Sequence, residues 1–455
     1  MVELFSSFSC LKPAKVLVLG DFMLDTYTTG RVQRISPEAP VPILHVQKIE
    51  DLPGGTGNVV LNLKALGADV VAVGRIGDDK EGLRLKQLLE KEEVDTSGLF
   101  IQKGISTPLK NRLIADAQQL IRVDQECITP LSSEIEEKVI ACIAEIVHQI
   151  EVIAISDYAK GFLSKSLLQV VIDLAREQEI PTIVDPKGDD FSKYRGATMI
   201  KPNYKEAVAA SQLPSDSNLD AIGDSLLSQT ASEMIMVTRS EKGISLFKRN
   251  YRRFDFPVKS KEVKDVTGAG DTVLAMTTMT FASGLSLEEG LELSNVAAGI
   301  AIERLGCVRV SLSELAERLL ETNVSSKIFD ENHLFALEQA LKGKKLTILG
   351  INTEEGVSSG LFSHIQKISK QAADERLMIY LIDSDPDQDF LSLLSSLHEV
   401  DFIVIQSDSL TSLTEKVHPI KVYTLNNGGT LNNVSHPKAL LKLLPPLGMV
   451  ANPCL

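Results

Sequence analysis

Tryptophan is absent from the 455 residues, aromatic side chains make up only 5%, and the five cysteines stand far apart as Cys10, Cys127, Cys142, Cys307 and Cys454. With no Cys-x-x-Cys and no pairing pattern, neither a disulfide framework nor a zinc knuckle is expected. The thiols are read as small buried hydrophobes in a reducing compartment. Positive charge is also in deficit. Lys and Arg number 47 against 61 Asp and Glu, and the net charge of −14 would repel nucleic acid and acidic membrane surfaces. A local basic pocket for a phosphate stays compatible with that balance. No apolar run approaches the roughly 20 residues of a membrane-spanning helix. The opening MVELFSSFSCLKPAKVLVLG has no basic stretch ahead of its apolar residues. The expectation is a cytoplasmic soluble protein with no nucleic-acid and no membrane partner.

What the chain does have is alternation. KVLVLGD, DVVAVGRIGDD, EVIAISD, IPTIVDP and MIMVT are short apolar runs of the buried-strand kind, and LTILG, LMIYLID and DFIVIQSD repeat the pattern later. Helix-period segments such as NVVLNLKALGA, EGLRLKQLLEKE and SLLQVVIDLAREQEI lie between them. Strand alternating with helix predicts an α/β fold with a largely parallel sheet and helices on both faces. VPILHVQKIEDLPGG and TPLKNRLIADAQQLIRVDQE lack helical period and read as extended segments of a small separate sheet. After the helical SLSELAERLLETN, the polar VSSKIFDEN reads as a linker, so a domain boundary is placed around residues 320–342.

The sharpest chemical signal is DVTGAGDT, residues 265–272, where two glycines and an alanine separate a β-favouring Val-Thr from a carboxylate at a helix start. Gly268, Ala269 and Gly270 carry almost no side chain, so their N–H groups can approach an anion, and the positive end of the helix dipole would point the same way. Asp271 would then stand where it can take a proton from a hydroxyl attacking a phosphoryl group. An ordinary helix cap has the same local appearance. Upstream, DLPGGTGN sets Gly54, Gly55, Gly57 and Asn58 before a helix, either a loop for hydroxyl recognition or a capped turn. In KPNYKEA, Asn203 and Glu206 are spaced i, i+3, which suits either joint contact with a hydrated cation or simple N-capping. His45 and His148 read as packing or surface residues.

The ordered series GDFMLD, PGGTGN, VGRIGDD, NxxE, VTRSEKG and DVTGAGDT resembles the ribokinase-like (PfkB) family of sugar kinases over residues 12–320. Within it, GDFMLDTYTTGRVQRISPEAPVPILHV, QQLIRVD, SDYAKG, VDPKG and YRGATMIKPN resemble the kinase half of bifunctional heptose 7-phosphate kinase/heptose 1-phosphate adenylyltransferases. The resemblance implies a ribokinase-like parallel sheet with a small β lid, a homodimer, and ATP-dependent phosphorylation of a heptose 7-phosphate with Mg²⁺. It implies Asp271 as general base and the backbone of Gly268, Ala269 and Gly270 as anion hole. Asp25, Gly54, Gly55 and Asn58 would contact the sugar. Asn203, Tyr204, Lys205 and Glu206 would lie against nucleotide phosphates and metal, with Glu206 the metal residue, and Thr238, Gly243 and Asn295 would line the ATP site. For the sugar's own phosphate, the basic residues in matching segments are Arg112, Lys160 and Lys187. A kinase for another sugar phosphate or nucleoside, and a non-catalytic sugar-phosphate-binding regulator, are the alternatives.

Residues 343–455 resemble a nucleotidyltransferase-like domain, with a flavodoxin-like domain as the other reading. Where the adenylyltransferases carry His-x-Gly-His, this chain has Ser358-Ser359-Gly360-Leu361, no Thr-Lys-Arg-like signature follows, and His364 comes three residues too late to share the helical face. Without those imidazoles the domain is expected to be inactive.

Overall fold

The computed structural model describes residues 4–116, 118–258, 263–304, 306–322, 327–329, 333–351, 359–371, 375–381, 386–405, 419–425 and 430–433. The chain divides into two compact units, Cys10–Ser311 and Met1–Ser9 with Leu312–Leu455. The helix Leu312–Thr322, which the sequence pattern places in the first domain, groups with the second unit, where it packs against Leu334–Leu341.

The first unit is built on a nine-stranded sheet. Its parallel part runs, in spatial order, Asp95–Gln102, Asp69–Gly77, Lys15–Gly20, Val152–Ser156, Thr182–Asp185, Met199–Ile200 and Met234–Thr238. Ile244–Lys248 and Phe254–Phe256 extend it antiparallel. Four of the five apolar runs are buried along their whole strand or all but one half-buried residue, as expected for strands covered on both faces, and only in DVVAVGRIGDD does an exposed residue, Asp69, open the strand. The helices follow from caps and period. Ser164 accepts the N–H of Leu167 to start Lys165–Glu177, and Leu167, Leu168, Val171, Ile172 and Ala175 form its buried stripe. Asp79 does double duty: its Oδ1 accepts the N–H of Gly82 at 2.8 Å and the Thr107 hydroxyl at 2.7 Å, capping Lys80–Lys91 while tying down the loop toward the small sheet.

That small sheet has four strands in the order Pro42–Gly55, Phe22–Ile35, Leu109–Ala115, Gln118–Gln125. The sequence pattern marks three of them, while Phe22–Ile35 is legible only through its resemblance to the sugar-kinase start. Register sorts the two faces. Asp25, Tyr27, Lys110 and Arg112 share one face, and Ile49, Leu113 and Ile121 share the other with Thr28.

The second unit holds a six-stranded sheet in the order Ile328–Phe329, Phe402–Ile405, Glu375–Leu381, Lys345–Ile351, Lys421–Leu425, Leu431–Asn433, parallel except for the last pair. Ser359–Gln371 is helical, whereas Ser358 and Asp383 to Asp385 lie outside the described residues. Among the described residues, no helix is long and apolar enough to cross a membrane. The cysteine expectation needs correction. Cys10 and Cys127 are exposed and Cys142 and Cys307 half-buried, all four as free thiols, because they lie on loops and a helix rather than in the sheet core, and Cys454 lies outside the described residues.

Candidate active site

In the first sheet the strand order reverses between Lys15–Gly20 and Val152–Ser156, and a crevice opens beyond the carboxyl ends of those strands. Gly20 is there by necessity, since a Cβ would lie 2.2 Å from the Ser156 carbonyl oxygen. The next residue, buried Asp21, accepts backbone N–H groups from Tyr158 and Lys160 at 3.0 Å and from Phe162 at 3.3 Å. Burial raises its pKa and the three N–H groups oppose that rise. GDFMLD and SDYAKG are therefore two halves of one construction that aims Tyr158 into the crevice.

Asp271 comes from the opposite side, on the first turn of the helix Ala269–Ser283. Gly268 precedes it at φ 78°, a left-handed conformation, and a Cβ there would meet Asn58 Nδ2 at 2.9 Å. Both carboxylate oxygens of Asp271 are engaged: Asn58 Nδ2 donates to Oδ2 and the Tyr158 hydroxyl donates to Oδ1, each at 2.7 Å. Burial pushes its pKa up to about 6, against the two hydrogen bonds, with the nearby Asp185 adding to the rise and Lys201 opposing it. Lys201 is itself buried and pairs with Asp185 at 2.9 Å, its ammonium 3.6 Å from where a Cβ on Gly270 would sit.

On the side of the small sheet, Asp25 is buried and paired with Arg112 at 2.8 Å. Gly54 leaves room for that carboxylate, since a Cβ there would come within 2.4 Å of it, and the adjoining Gly55 ends the strand at φ 56°. The Arg112 guanidinium lies over the Tyr27 ring, and the Tyr27 hydroxyl accepts the Cys307 N–H at 3.3 Å. Cys307 Sγ approaches Asp25 at 3.7 Å, and burial together with that carboxylate pushes its thiol up to about 12. Lys160 pairs with Glu126, Lys110 reaches the same carboxylate at 3.9 Å, and the Lys110 ammonium lies 5.7 Å from the centre of the Tyr158 ring.

The other side is a cleft of about 1050 Å³ whose walls include Asn203, Tyr204, Lys205, Glu206, Thr238, Gly243 and Asn295, with Gly268, Ala269, Gly270 and Asp271 at one end. Asn203 and Glu206 form a complete capping box, so the i, i+3 spacing does cap a helix; Glu206 Oε1 also takes the Lys187 ammonium at 2.7 Å. Gly243 lies at φ 78° where a Cβ would strike the Phe256 carbonyl oxygen at 2.0 Å, and Asn295 Nδ2 donates to that same oxygen at 3.0 Å. Of the three cations assigned to the sugar's phosphate, Lys187 is thus engaged elsewhere, with Glu206 on the cleft wall. Arg112 and Lys160 also have carboxylate partners, Asp25 and Glu126, and Lys110 stands beside Lys160 on the latter. Sequence reasoning missed Tyr158, Lys110, Lys201 and Asp185, although SDYAKG, KPN and VDPKG contain three of them.

A family model described as pfkB family carbohydrate kinase matches residues 13–314. The bifunctional protein HldE of Trichlorobacter lovleyi is 42% identical over 353 residues, covering 76% of this chain and 71% of that protein. The bifunctional protein HldE of Geobacter metallireducens is 36% identical over 440 residues, covering 91% and 88%. Among solved structures, Arabidopsis thaliana ribokinase complexed with ribose and ATP superposes with a TM-score of 0.53 at 18% identity, over 68% of this chain and 99% of that one. The fold, the family match and the relatives agree: the chain belongs to the pfkB family of carbohydrate kinases.

Proposed function

We propose that this sugar kinase transfers the γ-phosphoryl group of ATP to the anomeric hydroxyl of D-glycero-β-D-manno-heptose 7-phosphate. The product, heptose 1,7-bisphosphate, would lead to ADP-heptose for the lipopolysaccharide core. The observation that carries the mechanism is Asp271, buried at the N-terminus of a helix with glycine backbone beside it and both its oxygens held. The sugar hydroxyl would give its proton to Asp271 as its oxygen bonds to the γ-phosphorus. The bond from that phosphorus to the departing ADP breaks as the new bond forms. The N–H groups of the Gly268 to Gly270 segment, together with the Lys201 ammonium, would stabilise the charge that gathers on the transferring group.

ATP fits the cleft bounded by the capping box, Thr238, Gly243 and Asn295. Mg²⁺ commonly takes one or two carboxylates and leaves its other positions to phosphates and water, and Glu206 supplies such a carboxylate on the cleft wall. Among the described residues there is no group of three or more His, Cys, Asp or Glu that could hold a metal ion. Bound at Glu206, the ion would neutralise charge on the β- and γ-phosphates.

Lys160 and Lys110 flank Glu126 next to Tyr158, and they are the cations that would receive the 7-phosphate. The exposed apolar face of the small sheet, with Val46, Ile49, Ile121 and Val123, would be covered by a second copy in a homodimer. For residues 343–455, the missing His-x-Gly-His supports a nucleotidyltransferase-like domain without adenylyl transfer. The test is turnover with ATP and Mg²⁺ against heptose 7-phosphate, fructose 6-phosphate and ribose, with products identified by mass spectrometry. Heptose bisphosphate without ADP-heptose is the expected result. Turnover of fructose 6-phosphate or ribose alone would remove the heptose assignment.

A further inference from the structure

We infer that Tyr158 is a positioning residue for the kinase reaction: its hydroxyl fixes the orientation of the Asp271 carboxylate. The inference deepens the reading of Asp271 as base and rests on it. Tyr158 lies on the loop after Val152–Ser156, held by the N–H bonds of Tyr158, Lys160 and Phe162 to Asp21. The loop is tied to a buried carboxylate, which holds the hydroxyl toward Asp271. It donates to Oδ1 at 2.7 Å while Asn58 donates to Oδ2 at 2.7 Å, so rotation of the carboxylate would break both bonds. One lone pair on each oxygen remains for the substrate hydroxyl.

The same hydrogen bond also bears on the charge of Asp271, alongside the one from Asn58. Around Asp271 stand Asp185 and Lys201 from neighbouring strand ends, the Cys307 thiol, Asn58 and Tyr158, with the Lys110 ammonium over the tyrosine ring. Burial and Asp185 favour the protonated acid, which cannot accept a proton. Tyr158 pulls the other way, and its own pKa is raised well above the usual phenol by burial and by Asp271, so it stays a donor throughout the working range.

The experiment is kcat/KM against pH for full-length wild type and Tyr158→Phe. The expected result is a loss of roughly 10- to 100-fold in kcat at pH 7, with KM for ATP and for heptose 7-phosphate changed by less than about threefold. The acid limb should move up by roughly one pH unit, so that the defect narrows toward pH 9. An unmoved acid limb, or a loss confined to KM, would overturn the inference, since a residue that merely fills space would leave the limb in place. In an Asp271→Asn background, adding Tyr158→Phe should cost nothing further. Near-normal turnover by Asp271→Asn alone would instead sink the reading of the base itself. Should Tyr158→Phe fail to fold, wild-type protein labelled with 13Cζ-tyrosine supplies the readout. The Tyr158 resonance should titrate with Asp271, and a resonance unchanged between pH 5 and pH 8 would contradict the coupling.

Discussion

A carboxylate that must accept a proton near neutrality has to be ionised there, yet burial of Asp271 works against ionisation and pushes its pKa up to about 6. The kcat/KM profile of the wild type should accordingly lose its activity on the acid side around that pH, measurable with ADP release between pH 5 and pH 8. The same burial has a cost in stability. Because the folded state holds this proton more tightly than the unfolded chain, folding binds protons between about pH 4 and pH 6, and stability falls as pH rises through that window. Asp271→Asn removes the titrating group. Its melting temperature should equal that of wild type below about pH 4 and exceed it above about pH 6, where the wild type has lost about 3 kcal/mol by ionising a carboxyl whose pKa stands at about 6 in the fold. A variant that melts below wild type at pH 8 would contradict this account of the burial. Asp271 was legible in the sequence because GAGD is contiguous. Tyr158, 113 residues away, was not, because nothing local to it marks the carboxylate it meets once the strand order reverses.

At the scale of elements, the proposed mechanism gives the phosphoryl group to the turn into Ala269–Ser283 and the sugar to the small sheet. Gly268→Ala would place a Cβ in a left-handed turn against Asn58 Nδ2. The expected consequence is a loss of about 1–2 kcal/mol in folding free energy and a kcat reduced by more than about tenfold through the displaced Asn58; Ala269→Gly should do neither. On the small sheet, Lys160→Met or Lys110→Met should raise KM for heptose 7-phosphate by roughly 10- to 100-fold while leaving KM for ATP within about twofold, read from initial rates. The alternating apolar runs predicted the main sheet because parallel strands buried on both faces need continuous hydrophobic sequence. The partners of the basic residues were illegible for the complementary reason. Whether Arg112 meets Asp25, Lys160 meets Glu126 or Lys187 meets Glu206 depends on register between strands and on loop ends that local pattern does not encode.

For the whole molecule, the family match covers residues 13–314 and leaves the second unit, whose sheet order also reverses between Lys345–Ile351 and Lys421–Leu425, to the proposal of a nucleotidyltransferase-like domain without His-x-Gly-His. A homodimer through the apolar face of the small sheet predicts that Ile121→Glu yields a monomer by light scattering without unfolding the chain. The claim on which the rest depends is that Asp271 takes the proton. It is tested most directly by comparing wild type and Asp271→Asn with saturating ATP, Mg²⁺ and heptose 7-phosphate, measuring ATP affinity and turnover in the same preparations. The account predicts similar ATP affinity and a fall in kcat of at least about 10² to 10⁴. An Asn variant that binds ATP and still turns over within a few fold of wild type would contradict it.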